Sequence, residues 1–177
     1  MKFRTCPERS RGIALYVLLI TIFFVSASFA GTLNVSGRAG LYNPGTGSTS
    51  MMYGIGADYQ ITSNLSARAA VETTTYNNSN GVSTTYMPVT ADLIYGQTFL
   101  GMITPYAGAG LSYNTTSAVG VSNSTTGYQA ETGVKIGFGG FSAGVEYRYM
   151  VTDSSKSYNT SSTNAYMTGS FSQSFNI

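Results

Sequence analysis

The chain contains no histidine and no tryptophan, and it has a single cysteine, Cys6. Without an imidazole, a serine or cysteine nucleophile lacks its usual general base, so hydrolases of the Ser-His and Cys-His kinds are excluded. One cysteine builds neither a disulfide framework nor a thiolate metal site. No metal and no cofactor is therefore expected. Charge is also scarce, with Lys, Arg, Asp and Glu making up 9% of the 177 residues. No Lys/Arg cluster is present to form a phosphate-binding surface, so nucleic acid is not an expected partner. Long apolar runs are missing too, apart from Ile13–Val25. That run is short for the ~20 residues a membrane-spanning helix needs. Low charge with abundant Ser, Thr, Asn and Gly would suit disorder, but 14 Tyr and 9 Phe argue against it.

What is present begins with a leader. Lys2, Arg4, Arg9 and Arg11 form a basic region ahead of the apolar run. Ser28-Phe29-Ala30 then places small residues at −3 and −1 of a cut before Gly31. Residues 1–30 read as a secretory signal peptide, and 31–177 as one mature domain of 147 residues. Cys6 lies inside the leader, at no mature start, which argues against a lipoprotein anchor. The leader also carries the chain's basicity. The mature part has five Lys/Arg against six Asp/Glu, a net charge of −1.

The mature part alternates with period two. In Leu33–Tyr42 the odd positions Leu33, Val35, Gly37, Ala39 and Leu41 are apolar or small, while Asn34, Ser36 and Arg38 lie between them. Successive side chains of a strand point to opposite faces, so each such segment has one apolar and one polar face. The pattern returns in Met51–Ile61, Leu65–Thr75, Thr84–Tyr95, Ile103–Tyr113, Gly127–Phe138, Phe141–Val151 and Asn164–Ile177. Pro88 removes a ladder donor from the fourth segment, and Gln173 interrupts the apolar face of the last. Gly139-Gly140 is a two-residue hairpin signal. Asn43–Ser50, Tyr76–Ser83, Asn114–Thr126 and Thr152–Thr163 read as the longer loops, and the connections between them as shorter turns.

Eight alternating segments behind a secretion signal predict an all-β fold, an eight-stranded antiparallel up-and-down transmembrane β-barrel. Apolar residues would face lipid and polar residues the lumen. At about 9–11 residues per spanning strand, the mature chain is too short for a sixteen-stranded porin. Short turns at one end and longer loops at the other fit the same class.

The strand charges share one face. Arg38, Asp58, Arg68, Glu72, Asp92, Glu131, Lys135, Glu146 and Arg148 all fall on the side opposite the apolar residues. On a lipid face, Arg or Lys near the midplane would cost about 2–4 kcal/mol. These nine residues are expected to form an ion-pair network in the lumen, with the four cations paired to the five carboxylates. Tyr53, Tyr59, Tyr95, Tyr113, Tyr128, Tyr147 and Tyr149 fall on the outer face, where amphipathic rings suit the lipid–water interface. Gly54/Gly56 and Gly108/Gly110 precede no helix and no phosphate-handling residue, so they read as room for long inward side chains rather than a nucleotide motif.

The stretches Gly56-Ala57-Asp58-Tyr59-Gln60-Ile61-Thr62-Ser63-Asn64-Leu65 and Thr104-Pro105-Tyr106-Ala107-Gly108-Ala109-Gly110 resemble strand–turn–strand segments of the small OmpA-type outer-membrane β-barrels. The resemblance covers nearly all of the mature chain as pattern. It implies an eight-stranded barrel in the outer membrane of a diderm bacterium, with outer-membrane lipids as surroundings. It also implies the barrel-insertion machinery and periplasmic chaperones as partners during biogenesis. It implies no single activity. The small barrel enzymes of similar architecture resemble one another in relying on a histidine base, and this chain has no histidine. The chain departs from such barrels at its C-terminus, where Phe175 is followed by Asn176-Ile177 rather than ending on an aromatic residue. The resemblance is to the barrel and does not extend to the peptidoglycan-binding domain of the longer members.

Three readings follow. The first is a non-enzymatic structural or surface-exposed barrel with a mostly plugged lumen and an unknown surface ligand. The second is a narrow channel for small solutes or apolar compounds. The third is a soluble periplasmic barrel of lipocalin type. The leader generates one direct expectation: N-terminal sequencing of protein from the membrane fraction should begin at Gly31. An intact Met1 would contradict it.

Overall fold

The computed structural model describes residues 31–45, 47–154 and 163–176. The leader, Cys6, Lys156 and Ile177 lie outside the described residues. Eight antiparallel strands close into one barrel in chain order. They are β1 (Thr32–Pro44), β2 (Ser50–Gln60), β3 (Leu65–Asn77), β4 (Ser83–Gly96), β5 (Ile103–Ala118), β6 (Val121–Phe138), β7 (Phe141–Val151) and β8 (Thr163–Asn176). β1 meets β8 from Thr32↔Asn176 to Pro44↔Asn164, which closes the wall and leaves neither end strand as an open edge.

The two faces of the wall are opposite in character. Ile55, Leu111 and Val145 are 68%, 69% and 61% exposed on the outside, whereas Arg148 and Glu72 are 0% and 2% exposed on the inside. Exposing apolar surface to water is unfavourable by about 25 cal/mol per Å². An inside-out distribution of this kind is stable where the surroundings are themselves apolar.

Most strand limits lie within one or two residues of the alternating segments. The largest departure is at Asn114–Thr126, read as a loop. It is instead the far half of a long hairpin, in which β5 and β6 stay paired out to Ala118↔Val121. Its turn is only Val119-Gly120, with φ of 37° and 76°. Ser and Thr serve here as strand residues, because their hydroxyls pair across the ladder: Thr115 Oγ1 with Ser124 Oγ at 3.4 Å and Ser117 Oγ with Ser122 Oγ at 3.1 Å. The loop end is thus built partly of strand that overhangs the apolar band.

Pro88 perturbs less than its chemistry suggests. The β3–β4 register is the same on both sides of it, at Val71↔Val89 and Thr74↔Tyr86, with the ladder interrupted only between them. Gly139-Gly140 forms the two-residue turn expected, with φ of 57° and 85°. Val151 is a second correction. Strand parity puts it on the outer face with Val145 and Tyr149, yet it is buried. The chain folds back just beyond it, where the Thr152 carbonyl accepts from Thr125 Oγ1 at 2.7 Å and Asn114 Nδ2 at 3.0 Å.

A wall closed by hydrogen bonds on every side resists detergent. Folded protein is expected to migrate differently on SDS gels before and after boiling. Identical migration would contradict a closed barrel.

Candidate functional site in the barrel lumen

Each strand delivers its polar face inward, and the charged side chains meet both between neighbouring strands, as at Asp58↔Arg68 and Glu131↔Arg148, and across the interior. Arg148 of β7 is the centre. Its guanidinium reaches Glu72 of β3 at 2.9 Å, Glu131 of β6 at 3.1 Å and Glu146 of β7 at 2.8 Å. Arg38 of β1 binds Glu72 at 2.8 Å and Glu146 at 2.5 Å. Arg68 of β3 binds Asp58 of β2 at 2.5 Å and Glu131 at 3.0 Å, and also pairs with Glu146. Lys135 of β6 lies 3.3 Å from Asp58. Three forked guanidiniums thus bridge carboxylates from four strands in a geometry an ammonium would not supply. Tyr106 adds a hydrogen bond, its hydroxyl donating to Glu146 at 2.8 Å while its ring faces the Arg68 guanidinium at 5.2 Å.

Room for this lattice comes from glycine. A Cβ on Gly133 would lie 2.6 Å from the Tyr106 ring, and one on Gly54 would lie 2.5 Å from Glu72 Cγ. No side chain fits where these long groups cross.

Asp92 stands apart from the other carboxylates. The sequence grouped it with the ion pairs, but among the described residues no cation lies within ion-pair distance of it. Its partner is Gln129, whose Nε2 donates to Asp92 Oδ1 at 2.5 Å. The physical reason is position. Asp92 of β4 and Gln129 of β6 both pair with Gly110 of β5, so they face each other across a residue that has no side chain.

Above the lattice, toward the loop end, lies a layer that strand alternation alone did not single out. Tyr42, Met52, Tyr86, Met150 and Tyr166 pack together in the interior. On β1, Tyr42 follows Arg38; on β2, Met52 precedes Asp58; on β7, Met150 follows Arg148. In each case the aromatic or Met residue is the one nearer the loops. Tyr42 and Tyr86 stack with centroids 5.1 Å apart. The hydroxyls stay satisfied: Tyr86 donates to Asn114 Oδ1 at 2.6 Å, and Asn164 Nδ2 donates to the Tyr42 hydroxyl at 2.7 Å. The available signal was parity. These residues share the inward positions of their strands with the charges.

At the turn end the interior is open. A polar vestibule of about 390 Å³ is floored by Asp58, Arg68 and Lys135. Lys135, with its side chain 25% exposed, is the most solvated member of the lattice. On the outside, Tyr53, Tyr113, Tyr128 and Tyr149 occupy outward register positions toward the loop end, Tyr147 lies midway along β7, and Tyr59 and Tyr95 lie toward the turn end.

No protein-family model matches the chain, and no curated protein does. Solved structures do match. The Neisserial surface protein A is 21% identical, covers 82% of this chain and 97% of its own, and superimposes with a TM-score of 0.61. The N-terminal β-barrel domain of Pseudomonas aeruginosa OprF is 17% identical, with coverages of 82% and 99% and a TM-score of 0.59. The outer-membrane enzyme PagL is 17% identical, with coverages of 81% and 99% and a TM-score of 0.51. These likenesses establish the fold, that of the eight-stranded outer-membrane barrels. One fold here serves both a surface protein and an enzyme, so the activity has to be argued from the lumen itself.

Removing one member of a buried ion-pair cluster leaves its partners charged and unpaired, at a cost of about 3–5 kcal/mol. Arg68→Ala should therefore lower the urea midpoint strongly. Lys156→Ala, a change outside the described residues, is the comparison: the sequence reading of Thr152–Thr163 as a loop predicts a shift of no more than the roughly 0–1 kcal/mol of an exposed charge. Equal midpoints for the two variants in the same lipid would show that Arg68 is hydrated rather than buried.

Proposed function

We propose that the protein is a non-enzymatic integral barrel of the outer membrane of a diderm bacterium, of the small OmpA type. In this reading the lumen is closed and the loop end faces the exterior. The mature barrel, freed of residues 1–30, reaches the membrane with the help of periplasmic chaperones and the insertion machinery. Its partner in place is lipid, and the overhanging β5–β6 hairpin is the surface it offers to the outside.

The observation that carries this reading is the order of layers along the lumen. A vestibule at the turn end leads to a lattice in which three guanidiniums bridge opposite walls. The tyrosine and methionine layer then covers that lattice on the loop side. A solute crossing the barrel would have to break buried ion pairs and displace stacked rings. The apolar exterior supports a lipid environment and argues against a soluble binding barrel, whose lining and exterior would be exchanged.

Catalysis finds no support in the same geometry. The buried carboxylates are held by guanidiniums or, at Asp92, by an amide. Ser142 and Ser172 hydrogen-bond each other at 2.5 Å, and among the described residues neither is hydrogen-bonded to a carboxylate that could act as its base.

Planar-bilayer recording on refolded mature protein tests the proposal. The expected result is no steady conductance above the bare membrane. A reproducible ohmic step would favour the narrow channel instead.

A further inference from the structure

The turn between β4 and β5 is apolar where turns are usually polar. Its tip reads Phe99-Leu100-Gly101-Met102, and no Asp, Glu, Lys or Arg lies between Asp92 and Glu131 in the sequence. The β2–β3 turn, at the same end of the barrel, is Thr62-Ser63-Asn64. Leu100 is 87% exposed, with Phe99 and Met102 exposed on either side. Its backbone makes leucine an unexpected choice. Leu100 and Gly101 have φ of 52° and 71°. A turn with two positive φ values favours Asn-Gly, because a Cβ is crowded in that conformation. Leucine is thus disfavoured by the backbone, and its side chain buries almost nothing within the chain. The turn is nevertheless firmly held. The Phe99 N–H donates to the Ile103 carbonyl at 2.7 Å, the Ile103 N–H donates to the Phe99 carbonyl at 3.0 Å, and the Gly137 N–H of β6 donates to the Met102 carbonyl at 2.8 Å. An exposed apolar residue on a held but disfavoured backbone points to a contact outside the chain.

We infer that this turn is a membrane anchor: Phe99, Leu100 and Met102 insert among lipid acyl chains at the turn end of the barrel instead of projecting into the aqueous space. Continuity favours lipid over a protein partner. Phe99 pairs with Ile103 and Ile103 with Ile136, and Ile136, Phe138 and Phe141 are exposed on the outer face beside them. The apolar exterior therefore runs into the turn without a break. The polar side of the same segment is directed elsewhere. Thr98 and Thr104 line the vestibule, and their hydroxyls meet at 2.8 Å. With no charge in the turn or its flanks, insertion takes no ion into the hydrocarbon. Lipid also offers the backbone no hydrogen bonds, so polar groups must be paired within the protein. The N–H groups of Phe99, Met102 and Ile103 all donate inside the turn. Anchored in this way, the barrel sits deeper in lipid at the β4–β5 turn than at the polar β2–β3 turn.

This anchoring rests on the membrane-barrel reading proposed above, and the absence of tryptophan from the chain supplies a clean test. Leu100→Trp introduces a single indole at the turn. Val145→Trp places one midway along β7 on the outer face, and Asn80→Trp places one in the exposed β3–β4 connection at the loop end. Each variant is refolded into phosphatidylcholine vesicles with and without brominated acyl chains. Anchoring predicts that Leu100→Trp emits to the blue of Asn80→Trp, loses most of its fluorescence in the brominated lipid and is quenched only weakly by aqueous acrylamide. Emission as red as that of Asn80→Trp, quenched by acrylamide and not by bromine, would overturn the inference. So would blue emission that neither quencher reduces, the mark of a turn covered by a second copy of the protein. Val145→Trp keeps the two failures apart. If bromine quenches it but spares Leu100→Trp, the anchor alone is refuted; if acrylamide quenches it and bromine does not, the membrane reading itself is refuted. Phe99→Trp, at a position whose φ is not positive, takes the place of Leu100→Trp if that variant does not refold, and the same outcomes decide.

Discussion

The structure depends on the need to neutralise buried guanidiniums. Arg148, fully enclosed, is surrounded by Glu72, Glu131 and Glu146. None of these charges has water to fall back on, so each is tolerable only while the others are in place. Because Glu72, Glu131 and Arg148 come from β3, β6 and β7, satisfying this one arginine fixes the relative placement of distant walls. The backbone ladder closes the cylinder, and the lattice sets how its opposite sides meet. Net stabilisation by such a lattice is modest, since desolvation offsets most of the Coulomb gain. Its force lies in the cost of breaking any single part.

Other features follow from that constraint. Long side chains crossing a narrow lumen need empty positions to cross, which explains glycine at 54 and 133 among inward residues. The hydroxyl of Tyr106 supplies a donor that Glu146 can accept, and its ring lies against Arg68. The tyrosine and methionine layer lies on the loop side of the lattice; Asn164 and Asn114 partner the Tyr42 and Tyr86 hydroxyls, and the Tyr166 hydroxyl donates to Met150 Sδ at 3.5 Å. Among the described residues Lys135, at the vestibule, is the cation of the lattice with the most solvent contact, and an ammonium is the better-hydrated group to place there.

Much of this was legible in the sequence, because the side-chain period of a strand is two. Parity alone sorted Arg38, Asp58, Arg68 and Glu146 to one face and Val35, Ile55 and Val145 to the other, and the observed burial follows the same division. Three things were not legible. Ser/Thr/Asn composition does not separate a loop from a hydroxyl-paired strand, so the outer half of the β5–β6 hairpin was missed. Parity states which side a residue faces but not its partner, so Asp92 was grouped with the ion pairs although its neighbour across Gly110 is Gln129. Nor does parity give height along the barrel. Tyr42, Tyr86 and Tyr166 therefore became a distinct layer only once the strand register was known.

The central claim is that the lattice acts as one coupled unit. A double-mutant cycle on Arg148→Met and Glu72→Gln, read by urea unfolding in the same lipid, tests it most directly. Removing the arginine leaves carboxylates unpaired, and removing the Glu72 charge then relieves part of that penalty. The account predicts a coupling free energy of about 1–3 kcal/mol between the two substitutions. Effects that simply add, to within about 0.5 kcal/mol, would contradict it.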